Sequence, residues 1–117
     1  MWASDMKEHS MNLQVQPFEK IKDGLKTVEL RLYDEKRQQV AVGDVIVFRC
    51  GEDMVRTEVK ALHRYPDFAA LFAAMPKAML GYGADALADP ADMEAYYTKE
   101  EQSRYGVVGI ELVLTER

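Results

Sequence analysis

Apolar residues recur along this chain with two periods, one of two residues and one near four, and the changes between them mark out its elements. Met11, Leu13 and Val15 alternate with polar neighbours, which predicts a short strand over 11–16. Pro17 suits the first turn of a helix that turns Phe18 and Ile21 to one side, and Gly24 follows as its C-terminal cap. A strand over 27–33 comes next, with Val28, Leu30 and Leu32 on one face and Thr27, Glu29, Arg31 and Tyr33 on the other. After a polar connection over 34–39, Val42-Gly43-Asp44 turns the chain into Val45-Ile46-Val47-Phe48, apolar on both faces and so a buried strand. Gly51-Glu52-Asp53 closes a hairpin into 54–63, where Val55, Val59 and Ala61 face inward and Arg56, Glu58 and Lys60 face water.

The second half reads as helical until its end. Pro66 starts a helix in which Phe68, Leu71, Phe72 and Met75 follow i, i+3, i+4, i+7 spacing, and Pro76 breaks it. Gly81-Tyr82-Gly83 marks a flexible loop. Asp89-Pro90 opens a helix with Met93, Tyr96 and Tyr97 on one face, and Thr98 with Glu101 has capping-box spacing for another that ends at Tyr105-Gly106. The last strand, 107–114, turns Val108, Ile110, Leu112 and Leu114 to the core. Strands joined mostly by hairpins favour an α+β class, a small, mostly antiparallel β-barrel of about five to six strands with helices covering one side. The domain is expected to fill 11–117, preceded by a flexible lead-in over 1–10.

One strand does not fit that plan. Glu29 and Arg31 share a face that either lines a cleft between barrel and helices or meets bulk water, and alternation alone favours water. Lys26 adds to the puzzle, because its parity is opposite to that of Glu29. The two converge only if Lys26 lies in the turn before the strand or at a bulge.

Composition narrows the classes. The 117 residues fit one domain, and a hydrophobic fraction of 48% with 30% charged residues describes a globular chain. The single cysteine, Cys50, forms no intrachain disulfide and suits a reducing, cytoplasmic setting. No apolar run approaches the ~20 residues of a membrane helix, and the first ten residues lack a signal-peptide pattern. Two histidines and that cysteine have no ligand spacing, so neither a metal nor a cofactor is implied. A net charge of −5 argues against bulk electrostatic coating of nucleic acid. Between Lys20 and Arg37, however, six cations face four acids, and an anionic ligand should meet that stretch first. Lys20, Lys22, Lys36 and Arg37 are read as a solvated face, Cys50 as core and His63 as a strand-end residue facing a neighbour.

The string Gly24-x-Lys26-x-x-Glu29-x-Arg31 resembles the signature of the ASCH domain, a PUA-like β-barrel family. Met11-Asn12-Leu13, Pro17-Phe18-Glu19-Lys20-Ile21, Glu29–Arg37, Val42-Gly43-Asp44 and Tyr96-Tyr97 through Tyr105-Gly106 extend the likeness over residues 8–117 and resemble one bacterial branch. The resemblance implies a cleft between barrel and helices, lined by Lys26, Glu29 and Arg31, that takes RNA or a modified nucleoside or nucleotide. Arg31 offers a planar fork for phosphate or a base edge, Lys26 a point charge, and Glu29 a group to orient either cation. Thr27 neighbours the set, and Phe18, Tyr97 and Tyr105 offer stacking surfaces.

The resemblance also admits a hydrolase. One subgroup of the family resembles an amidohydrolase that removes an acyl group from the exocyclic amine of cytidine with a Lys-Thr-Glu set. Its threonine lies three residues after the lysine. Here Glu29 stands there, and Thr27 is one residue after Lys26, so that mechanism does not transfer as written. The acid of the set would come from Glu100 or Glu101. A ribonuclease would use Lys26, Glu29 and Tyr97 as acid and base groups. A third reading, a regulatory domain with a partner on the acidic second half, turns on Asp92 and Glu94. Whether His9 closes over the cleft, and whether the protein is a monomer or a weak dimer, stay open at this level.

Overall fold

Among the described residues five strands and three helices follow one another as β1 (Glu8–Asn12), α1 (Val15–Lys22), β2 (Val28–Leu32), β3 (Val45–Cys50), β4 (Asp53–Tyr65), α2 (Phe68–Ala74), α3 (Lys99–Tyr105) and β5 (Val107–Leu114), with short 3-10 turns at Arg37–Gln39 and Pro90–Ala95. This computed structural model describes residues 6–115.

The strands form one sheet in the order β1-β3-β4-β5-β2. β1 pairs with β3 in parallel, and the other three pairings are antiparallel. The sheet is therefore mixed, and it curls into a half-barrel rather than the closed barrel expected. Its edges, β1 and β2, are not paired to each other. The first strand also lies earlier than alternation places it, and Glu8–Ser10 of the expected lead-in belong to it. Residues 1–5 of that lead-in fall outside the described residues. Helix α1 starts at Val15, which puts Pro17 in its first turn, where an absent N–H leaves no helical bond unmade.

Two apolar clusters lie on opposite faces of the sheet. The inner one gathers Phe18 and Ile21 of α1 against Ile46, Phe48, Val59, Val108, Ile110 and Leu112. The outer one packs Val28, Leu30 and Leu32 against Phe68, Leu71 and Met75 and the loop residues Leu80 and Met93. The close docking of α2 depends on Gly109, where a Cβ would come within 3.0 Å of a Val28 methyl and 3.3 Å of the Met75 sulfur.

In β4 the register shifts between Val59 and Ala61. Val59 pairs with Leu112, but Ala61 pairs with Glu111 and Leu62 with Ile110. The bulge at Lys60 thus moves Ala61 off the inner face, against the simple alternation, and hands its place to Leu62. The loop after α2 is tied down rather than loose. Lys77 Nζ donates to the carbonyls of Ala84 (2.9 Å) and Ala86 (2.6 Å), and the Tyr82 hydroxyl donates to Asp92 (2.8 Å).

Candidate functional site: a charged cleft at the open edge of the sheet

Gly24, with φ +78°, ends α1, and the amides of Leu25 and Lys26 both donate to the Lys20 carbonyl (2.8 and 3.1 Å). The amides of Thr27 and Val28 then both reach the Met79 carbonyl at 3.0 Å, and β2 begins. Lys26 therefore sits in the turn before the strand, free of strand alternation, and its side chain swings to the Glu29 side. That removes the conflict of parity.

Glu29 and Arg31 pair with Ile110 and Val108 of β5 and so face the inner side of the sheet. Alternation alone had favoured water for this face. Instead the Glu29, Lys26 and Arg31 side chains are only 5%, 12% and 13% exposed. Arg31 Nε donates to Glu29 Oε2 at 2.7 Å, and Lys26 Nζ lies 3.4 Å from Glu29 Oε1. One carboxylate thus spans two cations, leaving one net positive charge in a largely dehydrated place. Arg31 Nη2 also donates to the Asn12 carbonyl at 3.0 Å, so a side chain ties the two sheet edges together.

These groups open onto a cleft of about 490 Å³ between the β1–α1 junction, β2 and the loop segments from Leu80 to Tyr97. Lys26, Glu29, Arg31 and Tyr97 all line it. Tyr97 is held by stacking on Phe68 at 5.9 Å and by Gln102, whose side chain bridges the Phe68 amide (3.1 Å) and the Tyr97 carbonyl (3.3 Å). Burial pushes the Tyr97 hydroxyl to titrate above its ordinary range, Arg31 opposes that and Glu29 reinforces it. At neutral pH the hydroxyl is therefore a proton donor.

Other expected participants lie elsewhere. Phe18 is 1% exposed and belongs to the inner core, so its ring offers no stacking face to a ligand. Thr27 lines a separate apolar cavity of about 290 Å³, with Lys26 as the shared wall. Tyr105 lines a third depression, beyond the end of β2. Glu101 spends its carboxylate on the Thr98 amide (2.9 Å) as the capping box requires, Glu100 is exposed, and neither lines the cleft. His9 does not cover the cleft. From β1 its Nε2 lies 2.8 Å from Oδ2 of Asp44, the residue before β3. Among the described residues no group of three or more His, Cys, Asp or Glu side chains is placed to hold a metal.

Three contributors escape a reading of the sequence. The Asn12 carbonyl carries no side-chain signal. Lys20, read as solvated, lies at the rim and donates from Nζ to the Gly81 carbonyl at 2.9 Å. Gly81, with φ +98°, lies against Lys26, and a Cβ there would meet the lysine's Cδ at 3.2 Å. Only its glycine character in a Gly-Tyr-Gly run could have pointed to it.

Comparison with known proteins gives the geometry a context. The ASCH domain model matches residues 11–116. A hypothetical protein, PH0355, is 31% identical, with a TM-score of 0.79 over 92% of this chain and 98% of its own. A protein from Pyrococcus furiosus is 34% identical, with a TM-score of 0.74 over 94% and 99%. A variant of ZmASCH from Zymomonas mobilis, at 18% identity, shares the fold with a TM-score of 0.64 over 93% of this chain and 69% of that one. The expected bacterial branch is not supported, since the neighbours above 30% identity are archaeal. No match was found among curated proteins.

Proposed function

This chain belongs to the ASCH domain family, and from that premise we propose that its cleft binds RNA or a modified nucleoside or nucleotide, with Lys26, Glu29 and Arg31 as the recognition set and Tyr97 as a stacking and donor surface. The observation that carries this reading is the single buried carboxylate spanning two cations at the wall of a cleft of about 490 Å³. That volume falls in the range of small-ligand sites. Glu29 fixes the Arg31 fork through Nε and leaves part of the guanidinium edge for a phosphate or a base carbonyl. Beyond their cation contacts the two Glu29 oxygens keep lone pairs that accept, the Tyr97 hydroxyl donates, and a nucleobase edge carries both kinds of partner. Soluble, PUA-like and cytoplasmic are the settings in which this reading places the protein.

The test is calorimetric titration of cytidine, cytidine monophosphate and short RNA into the wild type and Arg31→Ala at two salt concentrations. We expect binding that weakens with salt. Loss of a charge-assisted hydrogen bond should lower affinity about tenfold to a hundredfold in the variant, with an unchanged circular dichroism spectrum. A wild type that binds none of these up to millimolar concentration would overturn the reading.

A hydrolytic reading of the same cleft rests on the Lys26–Glu29 contact of 3.4 Å beside the protonated Tyr97 hydroxyl. Both Glu29 oxygens are already engaged by cations, and neither Glu100 nor Glu101 lines the cleft, so binding is the better supported use. Turnover of acylated cytidine or short RNA in metal-free buffer, abolished in Lys26→Ala and Glu29→Ala, would reverse that order.

A further inference from the structure

The face of β2 that carries Glu29 and Arg31 continues past the cleft to Tyr33, which has the same parity and ends the run with its amide on the Gly106 carbonyl at 2.9 Å. Arg31, Val108 and Arg64 are partners in register across β2, β5 and β4, so the two arginines leave the same side of the sheet. Two strand spacings separate them, about 10 Å. Arg64 is exposed, and its guanidinium lies over the Tyr33 ring, 4.0 Å from the centroid. Arg104 lies over Tyr105 in the same way at 5.3 Å.

Between these pairs is a depression of about 330 Å³, walled by Tyr33, Arg64, Tyr65 and Tyr105 above the Gly106 backbone. No carboxylate among the described residues lines it, in a protein with a net charge of −5. Among the described residues neither Arg64 nor Arg104 has an acidic partner within salt-bridge distance. A guanidinium over a tyrosine ring keeps its outer side for a base and N–H groups for a phosphate.

We infer that this depression is a second nucleotide subsite, taking the nucleotide that flanks the one in the cleft, so that the ligand is a single-stranded polynucleotide rather than a free nucleoside. The inference rests on the cleft being a nucleotide site. A base stacks on the outer face of Arg64 with Tyr105 as the opposite wall, and the linking phosphate meets the N–H edge of Arg64. Tyr33 is two residues beyond Arg31, about 6.6 Å along the strand, which keeps the subsites adjacent. A duplex does not fit this use, because its bases are stacked on each other and unavailable to protein rings.

The experiment compares a four-nucleotide pyrimidine RNA, followed by fluorescence anisotropy, with cytidine monophosphate, followed by calorimetry. The readout is the ratio of the two affinities. In the wild type the RNA should bind at least about tenfold more tightly, and Arg64→Ala and Tyr105→Ala should each remove about tenfold of that advantage. Arg64 is exposed, so its truncation keeps the fold even if that of Tyr105 does not. An unchanged ratio in Arg64→Ala, or a wild type that binds the mononucleotide and the tetranucleotide equally, overturns the second subsite while leaving the cleft reading intact. A wild type that binds neither overturns both.

Discussion

Glu29 holds the charges of the cleft together, and its removal separates the effects of burial and charge. In Glu29→Ala, Lys26 and Arg31 remain close in a place where each is less than 15% exposed, with no counter-charge between them. Breaking a buried pair in this way costs about 3 kcal/mol, so the urea midpoint should fall markedly. Glu29→Gln keeps the shape and should fall less. The same vacancy for negative charge implies that millimolar phosphate restores part of the Glu29→Ala loss and does little for the wild type. Gly81 offers a second test at this scale. In Gly81→Ala the φ of +98° is strained, and the new methyl presses on the Lys26 stem. A loss of about 1–2 kcal/mol in stability is expected, together with weaker ligand binding because Lys26 Nζ is displaced.

Among the elements, β1 is held most by side-chain chemistry. Asp44, 3% exposed, accepts from the Lys7 amide (3.2 Å) and the Ala41 amide (3.0 Å) and meets His9 at 2.8 Å. Burial alone would raise its titration point, but the His9 hydrogen bond and the two amides outweigh it and hold the carboxyl below its usual value of 3.8. A folded value below the unfolded one means that the contribution is complete above the unfolded value and fades as pH falls through the folded value. Asp44→Asn should therefore be less stable than the wild type above about pH 5, and the gap should narrow as the pH drops below about 4. Unfolding curves at a series of pH values measure this directly. None of it is legible in Val42-Gly43-Asp44 beyond a turn, because the partners Lys7 and His9 lie 37 and 35 residues away. The capping box at Thr98 and Glu101 was legible, being a matter of local spacing. So was the doubly buried β3. The Lys60 bulge and the early start of β1 were not, since both depend on which strand lies alongside. In the site, Lys26, Glu29 and Arg31 were singled out by the family resemblance of their string, not by alternation, which favoured water. That Phe18 lies in the core follows only from the packing of α1 into the half-barrel.

For the molecule as a whole, the decisive feature is that the sheet stops short of closure. A closed barrel would pair β2 with β1 through backbone hydrogen bonds and leave no cleft. Here the junction is made by one guanidinium reaching the Asn12 carbonyl, and the groups that line the cleft lie along that seam. On the proposed function Arg31 is both recognition group and clasp, and binding should be coupled to the stability of an edge strand. The prediction follows from which bonds survive its removal. In Arg31→Ala the β3–β4–β5 ladders are untouched, and β1 keeps its parallel pairing to β3 and its anchor at Asp44. The end of β1 nearest Asn12 loses a partner, and Glu29 on β2 loses Arg31 but keeps Lys26. Amide hydrogen exchange should therefore quicken about tenfold at residues 11–13, consistent with loss of one hydrogen bond of roughly 1.5 kcal/mol, while β4 and β5 keep their protection. A bound anion in the wild type should slow exchange at the same positions, because it adds a second partner to the guanidinium that closes the seam. Uniform acceleration across all five strands would instead mean that Arg31 supports the sheet as a whole, and that the seam is no separate unit.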